Sequence, residues 1–396
     1  MKRAARAFAA AAVFALHPGG ASAQAPAPDT VAPQLVADDL EFPTNMAVSP
    51  DGRVFFTEKD TGRIRIMEDG KVLEAPFAEL RSTHNNVENG LLGIALHPDF
   101  PDEPWVYVYY SSADDDTNHL ARIPATGNVG GTVEDLMTLL PIANAYHNGG
   151  DLAFGPDGKL YVTVGDAHES VRAQDPDNVG GKILRLNDDG SIPDDNPFGP
   201  DNPVYSLGHR NSFGICFDAA NGTMWETENG PGSNDEINRI EAGGNYGWPQ
   251  ESGASGNPEY VAPVIDFLET IVPTGCLARD GTVIFGDFGS RLHLFAETRP
   301  QDRSVASFPS GITDLQFAPD GSTLVSTDDS IWRLDPFAVQ EDPGSPGGGL
   351  PSSPAPAEDG AHTVRTIGFI AGGFVLLVII AGGLWFRAIQ RREGGP

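Results

Sequence analysis

One hairpin is written six times into this chain. It reads as an apolar strand, a tight turn and a second apolar strand. Its copies are "SPDGRVFFTE" from Ser49, "HPDFPDEPWVYVYY" from His97, "GPDGKLYVTVGD" from Gly155, "DAANGTMWETEN" from Asp218, "RDGTVIFGDF" from Arg279 and "APDGSTLVSTDD" from Ala318. Asp-Gly or Asn-Gly between alternating apolar runs is a strong hairpin signal, because those residues accept the left-handed backbone that the turn needs. The copies recur at intervals from 39 residues (Arg279 to Ala318) to 63 (Gly155 to Asp218). Strand units repeating on that scale stack as propeller blades. A two-sheet sandwich would also contain many hairpins, but recurrence of one theme favours the propeller. The expected fold is therefore all-β, a six-bladed β-propeller over residues 30–338.

The two ends of the chain have other characters. Residues 1–23 carry Lys2, Arg3 and Arg6, an apolar stretch and Ala21-Ser22-Ala23, the pattern of a secretory signal peptide with its cleavage site. Residues 339–364 are rich in Pro, Gly and Ser and read as a stalk, since such a composition cannot bury a core. "IGFIAGGFVLLVIIAGGLWF", 367–386, has no charge and is long enough to cross a bilayer as a helix. Residues 365–387 are thus the expected single C-terminal transmembrane helix. Arg387, Arg391 and Arg392 beside it assign the 388–396 tail to the cytoplasm. The propeller is expected outside the cell, anchored in the membrane.

Charge narrows the partners. The chain has 25 Lys and Arg against 55 Asp and Glu, a formal net charge of −30. Such a surface repels nucleic acid, so none is expected as a partner. The two cysteines, Cys216 and Cys276, fall in corresponding first strands of neighbouring blades. Strands of separate blades are expected to lie too far apart for Cα atoms to come within about 7 Å, so two buried thiols are favoured over a disulfide.

A propeller gathers the loops that lead into its innermost strands on one face. Those loops here are "HNNVENGLLGIALHP", "ANAYHNGGDLAFGP", "SLGHRNSFGICFD" and "TIVPTGCLARDG". Their equivalent positions set His147, Arg210 and Asn211 on one rim. In so acidic a chain an Arg in a Gly-flanked turn is either a local ion-pair partner or a hook for an anionic or polar ligand.

The longer motifs resemble the soluble PQQ-dependent glucose/sorbosone dehydrogenases, over roughly residues 35 to 335. The resemblance is carried by "ENGLLGIALHPDF", "YHNGGDLAFGPDGKLYVTVGDA", "GGKILRLNDDGSIPDDNPF", "VYSLGHRNSFGICFD" and "ENGPGSNDEINRIEAGGNYGWP". It implies an oxidoreductase holding pyrroloquinoline quinone (PQQ) and calcium on the propeller's top face, oxidising a sugar substrate and passing electrons to an external acceptor. His147 matches the family's base and Asp166 the carboxylate that orients it. Imidazole suits the role, since it accepts a proton near neutrality. Arg210 and Asn211 match the pair at the quinone oxygens, and Asn229 stands next to the calcium segment as a further cofactor contact. Glu88 occupies a position where the family often has Gln. Gly230 and Pro231 match the backbone carbonyls that bind calcium. Asp235 and Glu236 match a family feature and are equally able to fix the loop.

The pattern also departs from the family. A Lys usually near the hairpin that here reads "FGDFGSRLHLF" is missing, with Arg291 the nearest cation. Gly311 and Thr313 stand where two Arg usually precede the last hairpin. A second reading therefore stays open, a non-catalytic propeller of the same family that binds carbohydrate or protein and has lost PQQ. A lactonase has less support, since no set of acidic and amide ligands converges on the channel.

Overall fold

The computed structural model describes residues 32–83, 87–142 and 146–336. The expected signal peptide, stalk, transmembrane helix and tail lie outside these residues. Among the described residues no helix is long and apolar enough to cross a membrane.

Each repeated hairpin joins the first two strands of an antiparallel sheet, and there are six such sheets of four or five strands. We number the blades one to six along the chain. Their innermost strands are Pro43–Val48, Leu91–Leu96, Gly149–Phe154, Ser212–Phe217, Pro273–Arg279 and Ile312–Phe317. The chain's first strand, Gln34–Ala37, does not join blade one. It pairs antiparallel with Ile331–Leu334 and completes blade six. The innermost strand of blade six also packs against that of blade one. The ring is thus closed by hydrogen bonds between the two ends of the domain.

Second strands such as Val54–Glu58, Leu160–Val164, Met224–Glu228 and Thr323–Thr327 are buried at every residue. Both faces of a blade are covered by its neighbours, so the core is a set of inter-blade layers. Phe55, Phe77, Phe100 and Val106 fill the layer between blades one and two. Trp225, Phe285 and Phe295 fill that between four and five.

Every innermost strand has a register irregularity near its start. A bulge frees a backbone N–H from the ladder, and buried side chains at the third strand position answer that need. The third residues that supply such side chains are Asn45, Asp151 and Asp314, while the other three blades have Gly93, Gly214 and Gly275 there. Met46 N–H donates to Asp314 at 2.8 Å, Ile94 N–H to Asn45 at 3.1 Å and Ile215 N–H to Asp151 at 2.6 Å. Asn45 Nδ2 donates to Asp151 at 2.9 Å, tying blade one to blade three. Burial pushes the Asp151 carboxyl up to about 6, and burial with the nearby Asp151 charge holds Asp314 well above the usual range.

The cysteines correct the expectation from sequence. Cys216 and Cys276 form a disulfide with Cα atoms 5.7 Å apart. The innermost strands of blades four and five run parallel and close enough for a backbone bridge between Asp218 and Ala278. Glycines permit this approach: a Cβ on Gly214 would meet Thr274 O at 2.4 Å and Gly275 Cα at 3.0 Å.

Candidate active site

The loops before the innermost strands of blades two, three and four meet on one face, as the spacing predicts. His147 ends the loop before blade three, and its backbone stands in the left-handed region at φ 58°. Its Nδ1 shares a hydrogen with Asp166 Oδ1 at 2.6 Å. Asp166 follows the second strand of blade three, where Gly165 allows the chain to pass beneath His147. A Cβ on Gly165 would meet His147 O at 2.0 Å. Asp166 is 1% exposed. Its Oδ2 accepts Trp248 Nε1–H at 2.8 Å, and Oδ1 accepts His168 N–H at 2.8 Å. Burial raises the Asp166 pKa, but the hydrogen bond and charge of His147 outweigh it, so the carboxyl lies below its ordinary value. The carboxylate fixes Nδ1 and leaves the other ring nitrogen of His147 for a ligand.

Arg210 and Asn211 reach the same place from blade four. Asn211 Oδ1 accepts Gly149 N–H at 3.2 Å, and its Nδ2 donates to Glu88 at 3.1 Å. Glu88 also accepts His147 N–H at 2.6 Å. Burial raises the Glu88 carboxyl above its ordinary value. Arg210 donates through one terminal nitrogen to Asn229 O at 2.8 Å and lies over Trp248 at 5.5 Å. Its buried Nε has no hydrogen-bond partner. His209 points the other way, fully buried, stacked on Tyr246 and bonded to Ser206 at 2.8 Å and Glu228 at 3.2 Å.

Two groups that the sequence reading passed over hold this turn. Glu228 accepts the N–H groups of Arg210 at 3.0 Å and Asn211 at 2.6 Å. Its signal was an acidic residue ending a fully buried strand. Trp248 stood in view in "GGNYGWP", but its contact with Asp166 spans 82 residues. His209, Glu226 and Glu228 lie close enough together to hold a metal ion, and the protein's own donors already engage all three.

Asn229 Nδ2 donates to Asn211 O at 3.3 Å and Pro273 O at 3.2 Å. Gly230 and Pro231 follow it in the loop before Asp235–Ile240. Asp235 fixes that loop, accepting N–H from Gly230 at 2.8 Å, Ile271 at 2.7 Å and Val272 at 2.8 Å. Glu236 accepts Gly253 N–H at 2.5 Å, and its carboxyl is pushed up to about 7, first by burial and then by Glu228. A recess lined by Gly208, Arg210, Glu228, Gly230, Glu236 and Trp248 lies here. A separate cavity of about 380 Å³ at Tyr161, Tyr205, Phe217 and Arg239 shares none of these residues.

The late blades present aromatic rings where cations were sought. Phe288 stacks with Phe42 at 6.5 Å, and a Cβ on Gly311 would meet the Phe288 ring and its carbonyl O, each at 2.8 Å. Thr313 Oγ1 donates to Pro43 O at 2.6 Å. Arg291 is committed to Asp287 through Nε at 2.8 Å. A buried cation beside this wall is Lys59, 4.7 Å from the Phe42 ring centroid and 2.5 Å from Asp60.

The profile of the glucose/sorbosone dehydrogenase family matches residues 40–333. The chain belongs to this family. A glucose dehydrogenase-like oxidoreductase of Thermus thermophilus superposes with a TM-score of 0.72 at 35% identity, over 77% of this chain and 99% of that one. The PQQ-bound aldose sugar dehydrogenase of Streptomyces coelicolor gives 0.70 at 29% identity, over 78% and 99%. Quinoprotein glucose dehydrogenase B of Acinetobacter calcoaceticus is 34% identical over 57% of this chain. That match spans 54% of the Acinetobacter protein's length.

Proposed function

We propose that this protein oxidises an aldose with PQQ and calcium and passes the electrons to an external acceptor. The observation that carries the reading is the His147–Asp166–Trp248 chain beside an unpartnered buried Arg210 Nε. That orphaned donor fits an electron-rich ligand oxygen, because a buried N–H left unmet costs about 1–3 kcal/mol. Arg210, Asn211 and Asn229 would hold the quinone end, and Lys59, paired with Asp60, would have to share that charge with a cofactor carboxylate. The carbonyls of Gly230 and Pro231 would bind calcium, a hard ion that takes oxygen ligands. When bound, PQQ supplies the two-electron hydride acceptor.

His147 takes the hydroxyl proton at the ring nitrogen that Asp166 leaves free. Asp166 holds the tautomer and balances the imidazolium that forms. Arg210, fixed by Asn229 and Trp248, presents a positive charge that needs no reorganisation as negative charge develops nearby. Anchoring through the apolar run 367–386, with the propeller exported, belongs to the same proposal.

The test is titration of purified protein with PQQ at saturating calcium, followed by absorbance, alongside dye-linked aldose oxidation. Tight binding with oxidation that His147→Gln abolishes is the expected result. Binding by native protein that Lys59→Met weakens about ten- to hundredfold would identify the replacement cation. Gly311, Thr313 and the Phe42–Phe288 wall favour the second reading, a propeller that binds carbohydrate or protein without PQQ. Absence of any quinone binding would establish that reading instead.

A further inference from the structure

His147 sits 7% exposed at the floor of the site. One nitrogen is taken by Asp166. A base so placed receives a proton at each turnover and must lose it before the next. Asp166 is a poor destination, since its pKa is held low. The structure provides another. His168 is exposed, and its ring meets that of His147 edge to face with centroids 4.0 Å apart. On its other side His168 stacks with Tyr146, at 5.2 Å and 13° between planes, and Tyr146 is 45% exposed. The three rings lie in successive contact from the buried base to the surface.

The backbone is bent to make this contact. Ala167 and His168 both stand in the left-handed region, at φ 49° and 61°, as does His147. Non-glycine residues are strained there, and such strain persists where the surroundings enforce it, often at functional sites. The enforcing bonds are His168 N–H to Asp166 and Ala167 N–H to His147 O at 3.1 Å.

We propose that His168 is the proton exit of this site, taking from His147 the proton given up by the aldose hydroxyl and releasing it to solvent. The inference rests on the dehydrogenase reading above. The hydroxyl O–H bond breaks as its proton binds the free nitrogen of His147. PQQ, when bound, would supply the acceptor for the hydride from the adjacent carbon. The imidazolium of His147 then returns that one proton to a neutral ring nitrogen of His168, which gives it to water or buffer.

The charges around His168 suit a transient carrier. His147 and Tyr146 face it from the loop before blade three, Asp166 and Glu169 from its own loop, and Arg210 from blade four. Burial and then the His147 charge lower the His168 pKa, and Arg210 adds to this, while Asp166 opposes it. Glu169 is engaged by Arg172 at 2.9 Å. The two imidazoles therefore resist being protonated together, and a proton that reaches His168 is readily lost.

The test compares native protein with His168→Gln, both loaded with PQQ and calcium, in weakly and strongly buffered solution. The variant should lose about a hundredfold in kcat at low buffer, the lower end of the range for positioned proton transfer. KM should hold, and added imidazole should restore the rate. A rise in KM at unchanged kcat would make His168 a substrate contact and overturn the exit. So would a loss that imidazole does not repair. NMR titration of the unloaded protein gives a readout independent of turnover. His168 should titrate below the ordinary value of about 6.5 and move upward in His147→Gln. Independent titration of the two rings would overturn the proposal. Native loaded protein that oxidises no aldose would refute the dehydrogenase reading, and the exit with it. Native activity together with an indifferent His168→Gln would refute the exit alone.

Discussion

Asp166→Asn separates an orienting carboxylate from a merely structural one. All three neighbours of this carboxylate are donors: the His147 ring at 2.6 Å, Trp248 Nε1–H at 2.8 Å and His168 N–H at 2.8 Å. Asparagine supplies one oxygen and one NH₂. If the oxygen faces His147 and His168, the NH₂ opposes the Trp248 indole. If the amide turns over, it opposes His168 N–H and can be met by His147 only through the unprotonated Nδ1. That tautomer places the proton on the nitrogen that should act as base. One opposed buried donor costs about 1–3 kcal/mol, and the wrong tautomer in a His–carboxylate pair costs about 10⁴ in rate in the serine-protease example. The expected loss in kcat is therefore roughly 10³–10⁴, equivalent to about 4–5.5 kcal/mol of barrier. PQQ affinity should change less than kcat, because Asp166 meets Arg210 through its backbone N–H, which donates to Arg210 O at 2.9 Å and survives the substitution, and its side chain reaches Arg210 only by way of Trp248. The assay is dye-linked aldose oxidation at saturating PQQ and calcium, with the quinone titration as control. A kcat within about threefold of native, at native cofactor affinity, would refute the assignment of Asp166 as the orienting group.

Three further outcomes follow from the fold. Replacing Cys216 and Cys276 by Ser opens a loop of 60 residues' separation, and the chain-entropy estimate for such a loop is about 4 kcal/mol. Calorimetry should show Tm lowered by several degrees, and an unchanged Tm would exclude the disulfide as a staple between blades four and five. Gly311→Arg should lower stability, because its Cβ meets Phe288 at 2.8 Å, whereas Gly311→Arg with Phe288→Ala should fold and gain PQQ affinity. Equal affinity in native and double variant would mean that the sixth blade does not face the quinone carboxylates. A chain ending at Phe337 should be recovered folded in the soluble fraction, while retention in the membrane fraction would refute the C-terminal anchor.

Much of the fold is legible in sequence because its units are local. A strand period of two with an Asp-Gly or Asn-Gly turn specifies five of the six hairpins within a dozen residues, and the longer Pro98–Pro104 turn carries the other. Six copies specify six blades, since a blade alone leaves both faces uncovered. The placing of His147, Arg210 and Asn211 on one rim follows the same logic, as equivalent positions in successive repeats, whereas Asp166 is pointed to only by the family resemblance.

Contacts between blades were not legible. The Cys216–Cys276 bond depends on how closely two innermost strands approach, which Gly214 decides by having no side chain. The Phe42–Phe288 stack joins residues 246 apart in numbering, over a strand whose Gly311 leaves room for it. Nothing in the sequence singles out His168, and the left-handed turn after Gly165 brings its ring against His147. Local hydrogen-bonding preference fixes a hairpin wherever it occurs. The distance between side chains on different blades is fixed only when the ring closes, with Gln34–Ala37 paired to Ile331–Leu334.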